Sequence, residues 1–512
     1  MAMAAFSTIL HPFSSTSFAS PFGRKNKPLM VQCCLGGKHD RKLKEAKHLF
    51  ARRPSVARDD RVLMSCPVET LVLIDAVQRL GIDYHFQETI EAVLHDEFCA
   101  TAAADRRRED GLFEVSLMFR LLRQQGHHIS SDVFNKFKNQ EGKFQPRLLG
   151  HQNVQALIQL YEASQWMAPG EDILHEAGEF SAHRLRSWIS PNLSQYYSVV
   201  NDIMGLLATE EAVANALKHP YHRSIPRLVI KDYLSSFGGT ITSKKQSRYV
   251  ETLKDLAKLD LKMNQAVHQK ELDQLSRWWD EVGLGTSVGR DQLLAKASAW
   301  PMATLRGSKL AEYRVELAKI ISIVYLINDI FDMYGSLDDL ALFTEAITRW
   351  LRTGECPKSD EYLRTGMVTS GAPLMLVHFF YMLGTGLTEE NVRLVDSDEP
   401  PLISPVAKIM RLSDDLSSMY EEDVGYDGSY VDCYLKENPG LSVHEARKHV
   451  VDMIEDTWKQ LNYEYLSPAI PFPTGFMKVV VDSAKMVPLM YEIGFEGDDQ
   501  ESNVNSLPSL QE

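Results

Sequence analysis

The chain has 512 residues, which is more than one ordinary hydrophobic core contains and suits two domains behind a leader. Apolar residues make up 44% and charged residues 24% of it, a composition typical of soluble globular proteins. No apolar run reaches the ~18 residues of a membrane span, so no integral membrane segment is expected. The net charge of −14 argues against nucleic-acid binding, and an anionic ligand would need metal ions or a local arginine cluster.

The first 36 residues have the composition of an organelle transit peptide. No acidic residue precedes Asp40, serine and threonine recur, and Arg24, Lys25 and Lys27 follow. Ser-rich, acid-poor and mildly basic segments of this kind direct import into organelles. A disordered N-terminus without a targeting role is the alternative. The six cysteines form neither a C-x-x-C pair nor a zinc-like cluster, which is typical of a reducing compartment.

The rest of the chain predicts an all-α fold. Apolar residues recur at helical spacing from Val68 to Leu80, from Phe113 to Leu122 and from Val154 to Tyr161. Pro220 and Pro226 disfavour helix at the residues before them, so we place a domain boundary near residue 225. The prediction is one helical domain over 37–225 and a second over 226–512.

A first acidic motif lies in a helix that is apolar on nearly every side, within Lys319–Leu340. Such a helix is expected to be buried, yet it contains Asn328, Asp329 and Asp332. Asn328 and Asp332 are four residues apart and share a face. An isolated buried carboxylate is costly unless it is paired or binds a metal, so this motif is a candidate metal site. A helix end whose acids reach water near Gly335 is the alternative.

A second acidic motif runs from Arg411 to Glu422. Asp414, Ser418 and Glu422 are spaced four and four, so their oxygens line one helical stripe. Carboxylate and hydroxyl oxygens suit Mg²⁺ and not zinc. Arg411, one turn before Asp414, is positioned to pair with that carboxylate or to hold an anion. A solvated acidic face is the alternative, but two such faces in one helical domain indicate Mg²⁺ ions that clamp a diphosphate.

These motifs resemble those of plant class I terpene synthases. The segment from Asn328 to Asp338 is similar to their aspartate-rich D-D-x-x-D stretch, and 414–422 is similar to their N/D-D-x-x-S/T-x-x-x-E motif. The segment Leu275–Trp279, followed by Arg290-Asp291-Gln292, resembles the approach to their R-x-R motif. Ile74–Ile82 is similar to a stretch of the N-terminal domain. The likeness runs from about residue 40 to the end of the chain.

The resemblance implies two α-helical domains, with the class I terpenoid synthase fold and the catalytic centre in residues 226–512. It further implies a monomer in the plastid, or alternatively the cytosol, that acts on a prenyl diphosphate with Mg²⁺, three ions in all, or Mn²⁺. The implied metal ligands are Asn328, Asp332, Asp414, Ser418 and Glu422. The implied substrate-binding residues are Arg290, Asn328, Asp332, Arg411 and Asp414. The implied catalytic acids are Asp329, which supports the ligands, and Asp332.

The resemblance also indicates the product class. Cyclising monoterpene synthases carry paired arginines, eight residues and then tryptophan, but here Val62 stands where tryptophan would follow Arg52-Arg53. The stretch from Glu422 to Tyr430 resembles the acyclic linalool/nerolidol branch, so linalool from geranyl diphosphate or nerolidol from farnesyl diphosphate is expected. Aromatic candidates for stabilising the allylic cation through cation–π contact are Trp300, Tyr325 and Tyr420; ordinary core packing is their alternative role.

Three departures from the family pattern keep other interpretations open. Asn328 stands where the family has aspartate, Gln292 replaces the second arginine of R-x-R, and compared with the family pattern we expect roughly fifty residues, about two or more helices, to be missing after Trp350. One alternative is therefore a non-catalytic or weakly active family member that binds prenyl ligands or partners. The other is a chain-elongating prenyl transferase, against which the Ser418/Glu422 motif and the large N-terminal domain argue.

Overall fold

The computed structural model describes residues 28–51, 68–102, 111–144, 154–189, 210–236, 244–284, 290–333, 357–418 and 429–491. Some side chains inside these ranges, including those of 328–333 and 418, are not described. The first 27 residues of the predicted leader, the Arg52-Arg53 pair, Tyr420 and Glu422 lie outside the described residues. In the described part, regular structure is helical apart from one isolated bridge between Lys138 and Phe144. The predicted all-α fold is confirmed.

The N-terminal half is built around three helices that pack on one another, α4, α5 and α6. Its described helices are α1 Pro28–Ala51, α2 Val68–Arg79, α3 Gln87–Ala102, α4 Leu112–Gln124, α5 Val154–Ser164, α6 Asp172–Ile189, α7 Glu210–Lys218 and α8 Pro226–Ser236. Helix α1 packs along a helix of the C-terminal half, α9. The first described helix therefore bridges the two halves of the chain.

The C-terminal half surrounds one central helix, α15. Its described helices are α9 Lys244–Glu281, α10 Arg290–Thr304, α11 Ala311–Met333, α12 Ser359–Thr369, α13 Ala372–Leu383, α14 Glu389–Val395, α15 Ile403–Ser418, α16 Tyr430–Glu437, α17 Val443–Leu466 and α18 Thr474–Met490. Helices α12, α13, α17 and α18 all pack against α15. Because apolar residues on several sides of α15 are buried, its polar residues are held in fixed positions.

The chain between α7 and α8, where the domain boundary is predicted, is a buried junction. A short 3₁₀ helix, Tyr221–Arg223, lies between Lys218 and Pro226, and proline suits the first turn of the helix that follows. The His222 ring is fully buried, stacks on Trp166 at 3.7 Å between centroids and contacts Asn462 Oδ1 at 2.7 Å. One continuous cluster of buried apolar residues spans both halves, so this junction is part of the protein core.

Asp260, buried on α9, ties the two halves together. Tyr84 donates to Asp260 Oδ1, His85 Nε2 lies 2.8 Å from the same oxygen, and Asn264 donates to Oδ2 at 2.8 Å. His39 Nε2 of α1 lies 3.4 Å from Oδ1. Burial disfavours the charge, but the hydrogen bonds from His39, His85 and Tyr84 outweigh it and lower the pKa of Asp260 below its ordinary value. Asp260 is therefore a buried charged centre, and we call it and its partners His39, Tyr84, His85 and Asn264 the hub.

The same hub has the composition of a metal site. His39, His85 and Asp260 offer three ligand atoms that lie within 4.8 Å of one another. However, the Asp260 oxygens already accept hydrogen bonds, and the Arg227 guanidinium lies 3.9 Å from Oδ2, where it would repel a divalent cation. The arrangement therefore supports a structural role that joins the two halves.

One stretch of the described residues, Ser359–Leu383, is apolar and long enough to be a candidate membrane span. In the structure it consists of two helices, α12 and α13, which are interrupted at Ser370-Gly371. Gly371 has φ 75°, a left-handed conformation that ends a helix. Helices of 11 and 12 residues reach only about 18 Å at 1.5 Å per residue, whereas a span needs about 30 Å. Both helices pack on α15 in the C-terminal half.

Removal of the Asp260 charge is expected to lower the stability of the protein strongly. Asp260→Asn should lower the free energy of unfolding by about 3 kcal/mol, because it leaves buried Arg227 and His39 without their counter-charge. Urea unfolding followed by circular dichroism measures this. The control is Glu389→Gln, which removes an ion pair to Arg393 whose side chains are 82% and 74% exposed; it should cost less than about 1 kcal/mol. Equal effects of the two substitutions would contradict the role of Asp260.

Candidate active site

The antiparallel pair α10 and α11 brings the predicted first motif close to Arg290. A short connection with a single 3₁₀ turn joins the two helices, and Arg314 holds it by donating to the carbonyls of Leu305 at 2.9 Å and Gly307 at 2.7 Å. Arg314 is itself paired with buried Glu271 of α9. Because the helices run in opposite directions, the first turn of α10 lies near the last turns of α11. Arg290 thus begins α10 beside the end of the helix that carries Asn328.

An aromatic pair lies between α10 and α11. The Trp300 indole is 2% exposed and donates through Nε1 to the Tyr325 hydroxyl at 2.9 Å. The Lys296 ammonium lies 4.6 Å from the centroid of the Tyr325 ring. Burial raises the pKa of Tyr325. The hydrogen bond from Trp300 acts in the opposite direction, and the negative charge of Asp414 raises this pKa further. Trp300 and Tyr325 are thus in contact with each other, and Tyr325 is close enough to Asp414 for the negative charge to affect its pKa.

Arg411 of α15 is bound by two neighbouring carboxylates. Its Nη2 lies 2.6 Å from Asp414 Oδ2 and also contacts Asp415 Oδ1. Burial disfavours the guanidinium charge, but the attraction of Asp415 and then of Asp414 outweighs it, so the pKa of Arg411 is raised above its ordinary value. Arg411 crosses α12 at Gly366, where a Cβ atom would lie 2.6 Å from Arg411 Cδ. The predicted pairing of Arg411 with Asp414 is therefore present.

Asp415 is the buried anchor of this group. Its side chain is 1% exposed and accepts hydrogen bonds from the Tyr362 hydroxyl and from the Tyr430 backbone N–H, each at 3.0 Å. Tyr430 is the first residue of α16, a helix begun by a capping box of Ser429 and Asp432. First-turn N–H groups have no partner within their helix and favour a negative charge, so α16 stabilises the Asp415 carboxylate.

Asp414, the adjacent residue, pairs with Arg411 and is only partly buried. Its side chain is 38% exposed, and its charge contributes, after burial, to raising the pKa values of both Tyr325 and Tyr491. Asp414 lies in the last turns of α15, and Asn328 and Asp332 lie in the last turns of α11. Helix C-termini carry a partial negative charge that favours cations. Carboxylate oxygens are ligands that Mg²⁺ prefers, so metal binding by Asp414 stays a prediction, in which the cation would share this carboxylate with Arg411.

The structure locates the other predicted ligands only in part. Asn328, Asp329 and Asp332 lie on the continuous helix α11, and Ser418 is the last residue of α15, but their side chains are not among those described. Glu422 lies outside the described residues. Their assignments to metal binding and catalysis remain predictions.

Arg290 is more enclosed by acids than the sequence suggested. Its Nη1 donates to Asp280 Oδ1 at 2.8 Å, its Nη2 donates to Ser276, and its Nε lies 3.6 Å from Asp291 Oδ1. Ser276 and Asp280 belong to the end of α9. These contacts fix the start of α10 against α9 and compensate the positive charge of Arg290.

Comparison with known protein families decides the classification. The profile of the terpene synthase N-terminal domain matches residues 37–207, and that of the terpene synthase family metal binding domain matches residues 281–352 and 348–460. The chain belongs to the terpene synthase family. Terpene synthases are lyases that act on prenyl diphosphates, and the resemblance noted in the sequence is confirmed.

Related terpene synthases cover most of the chain. A probable terpene synthase 4 of Ricinus communis is 39% identical over 538 aligned positions, covering 93% of this chain and 88% of the relative. A chloroplastic neryl diphosphate diphosphatase of Glycine max is 34% identical, covering 88% and 90%. An (E)-nerolidol synthase of Cannabis sativa is also 34% identical, covering 83% and 85%.

A solved terpene synthase structure has the same fold. Isoprene synthase from grey poplar leaves (Populus x canescens), in complex with three Mg²⁺ ions and dimethylallyl-S-thiolodiphosphate, superposes with a TM-score of 0.71 at 26% identity. The superposition covers 89% of this chain and 93% of that one. The predicted class I terpenoid synthase fold is therefore confirmed.

The comparisons also bear on the spacing after Trp350. The metal binding domain profile matches in two pieces that overlap at residues 348–352. The alignment to the Ricinus relative runs over 538 positions, more than the 512 residues of this chain, so the relative carries residues that this chain lacks. A missing segment after Trp350 stays a prediction, which the match in two overlapping pieces supports.

Sequence reasoning about this terpene synthase missed four side chains of the site: Asp415, Tyr362, Tyr491 and Lys296. Asp415 had a detectable signal, since it lies three residues after buried Leu412 and so shares the apolar face of α15. Tyr362 and Tyr491 reach the site only through tertiary packing. Lys296 follows Gln292 by one helical turn. This spacing points to the site only once α11, which carries Tyr325, is known to pack beside α10.

Two adjacent carboxylates should respond differently to neutralisation. Asp415→Asn should lower the free energy of unfolding by about 3 kcal/mol, since it leaves Arg411 with a weakened buried partner. Asp414→Asn should change it by less than about 1 kcal/mol, because that side chain is partly in water. Urea unfolding of both variants measures the difference. A larger loss for Asp414→Asn would contradict the assignment of Asp415 as the anchor.

Proposed function

We propose that this chain ionises a prenyl diphosphate with the help of Mg²⁺ and releases an acyclic tertiary alcohol, linalool from geranyl diphosphate or nerolidol from farnesyl diphosphate. The observation that carries the proposal is the position of Asp414. This carboxylate is accessible, lies at the C-terminal end of α15 and acts electrostatically on Tyr325, which precedes Asn328 by one turn of α11. This supports a common region of the domain for the two acidic motifs.

In this proposal Asn328 and Asp332 hold Mg²⁺ on the α11 side, and Asp414, Ser418 and Glu422 hold it on the α15 side. Oxygen donors of these types suit Mg²⁺ and also accept Mn²⁺. Bound metal ions would stabilise the negative charge that develops on the diphosphate leaving group. The isoprene synthase relative contains three Mg²⁺ ions, which supports three as the number here.

The residues of the chain contribute fixed charges and an apolar wall. Arg411, held by Asp415, and Arg290, at the start of α10, would orient the diphosphate. Asp329 would support the metal ligands next to it. The buried indole of Trp300 and the ring of Tyr325 face a region where an allylic cation would be stabilised by aromatic faces, by up to about 2 kcal/mol when desolvated. Water that adds to the tertiary carbon of this cation gives the alcohol.

Two findings support an acyclic product. The (E)-nerolidol synthase of Cannabis sativa is 34% identical, and nerolidol is an acyclic alcohol. The tryptophan that follows paired arginines in cyclising monoterpene synthases is replaced by Val62. The proposal includes both geranyl and farnesyl diphosphate as substrates of this chain.

A plastid location accompanies the proposal. The acid-poor, Ser-rich segment 1–36 supports import, and the Glycine max relative is named as chloroplastic. The cytosol is the alternative location. A monomeric enzyme is proposed, since each chain carries both motifs.

A weakly active or non-catalytic family member is the second candidate. It is favoured by the residues that the Ricinus relative carries and this chain lacks, and by apolar side chains that the described C-terminal half leaves exposed, such as Val368 at 71%, Leu374 at 55% and Ile323 at 41%. A domain that has lost neighbouring helices would expose such residues. The uncharged Asn328 also weakens the predicted metal site.

Product analysis separates the two candidates. The full-length chain, incubated with geranyl or farnesyl diphosphate, should form linalool or nerolidol only when Mg²⁺ is present, because the leaving group requires charge compensation. Gas chromatography–mass spectrometry identifies the products. A folded preparation that yields no Mg²⁺-dependent product would refute the synthase and support the non-catalytic candidate.

Restoring the missing charge should strengthen metal binding. Asn328→Asp adds a carboxylate to the α11 motif, so the Mg²⁺ concentration that gives half-maximal diphosphate release should fall about tenfold, equivalent to about 1.4 kcal/mol. The control is Asn135→Asp, which adds the same charge at an exposed position of the N-terminal half. An unchanged Mg²⁺ dependence in Asn328→Asp would show that residue 328 is not a ligand.

A further inference from the structure

Both arginines assigned to the diphosphate are already engaged by carboxylates. Arg290 is paired with Asp280 and Asp291, and Arg411 with Asp414 and Asp415. Each guanidinium thus has two carboxylates beside its single positive charge. In a chain whose net charge is −14, an anion with several charges needs a further cation at this place.

Lys296 is such a cation. It is exposed on α10, one turn beyond Gln292, and its ammonium lies 4.6 Å from the Tyr325 ring centroid. In the part of the chain that the structure describes, no carboxylate lies within ion-pair distance of Lys296. Tyr325 precedes Asn328 by three residues on α11, so the ammonium lies beside the end of α11 that carries the first motif. A cation–π contact with the ring leaves N–H donors of the ammonium available.

We propose that Lys296 is a diphosphate-binding residue that supplies, from the next turn of α10, the positive charge that Gln292 does not provide. The proposal rests on the proposed function, because it names a residue that binds the diphosphate group of that substrate. Residues 292 and 296 are four apart and share an exposed helical face, so a cation at either position points toward the same region. A lysine ammonium is a compact point charge that suits phosphate oxygens.

Lys319 provides a matched comparison on the neighbouring helix. Its ammonium also lies over an aromatic ring, 5.6 Å from the Trp278 ring centroid, but it is paired with Glu316 at 2.7 Å. Lys319 therefore makes a cation–π contact of the same kind, but a carboxylate already compensates its charge. A purely structural role of the cation–π contact predicts similar consequences for loss of either lysine, whereas diphosphate binding predicts consequences for Lys296 alone.

Calorimetric titration of the full chain with inorganic diphosphate, first without and then with Mg²⁺, tests this assignment. Lys296→Met should weaken diphosphate binding at least tenfold in both conditions, and Lys319→Met should leave it within twofold of the unsubstituted chain. The double variant Gln292→Arg/Lys296→Met should recover most of the loss. Equal affinity of Lys296→Met and the unsubstituted chain, or an equal loss in Lys319→Met, would overturn the assignment.

Turnover separates failure of this inference from failure of the proposed function. If the unsubstituted chain releases diphosphate from a prenyl substrate, Lys296→Met should raise KM at least tenfold, and an unchanged KM would overturn the role of Lys296 while the function stands. If no turnover occurs, the function fails, and the calorimetric comparison of the two lysine variants still decides whether Lys296 binds diphosphate.

Discussion

The buried contact between Arg411 and Asp415 is the interaction on which the arrangement of the candidate site depends. Asp415 is satisfied by Tyr362, by the first N–H of α16 and by Arg411, so three separate helices converge on one carboxylate. A buried charge with this many partners tolerates little displacement. The end of α15 is thereby fixed, and with it the position of Asp414, the next residue back along the helix, whose side chain is 38% exposed.

The sequence predicted the chemistry of this region more completely than its geometry. The spacing of Arg411 and Asp414 was sufficient to predict their contact, because residues three apart on a helix are neighbours. Asp415 was overlooked since its partners, Tyr362 and Tyr430, come from segments whose positions only tertiary packing defines. Arg290 likewise resembled a free diphosphate ligand, and its pairing with Asp280 depends on the packing of α10 against α9.

In the fold, too, features that depend on nearby residues were predictable from the sequence, and contacts between distant segments were not. Apolar spacing predicted helices at 68–80, 113–122 and 154–161, where α2, α4 and α5 lie, because periodicity is a local property of the chain. The hub at Asp260 was not predicted, since it joins His39, Tyr84 and a residue of α9 that are far apart in sequence. The same limit applies to α12 and α13, which local hydropathy would merge and Gly371 separates.

The central claim is that Asp414 belongs to a divalent-metal site that forms with diphosphate. Electron paramagnetic resonance of Mn²⁺ added to the full chain, with and without inorganic diphosphate, tests it most directly. The account predicts that diphosphate tightens Mn²⁺ binding and that Asp414→Asn weakens the diphosphate-dependent binding at least tenfold while the protein stays folded. Identical Mn²⁺ binding by Asp414→Asn and the unsubstituted chain, in the presence of diphosphate, would contradict the account.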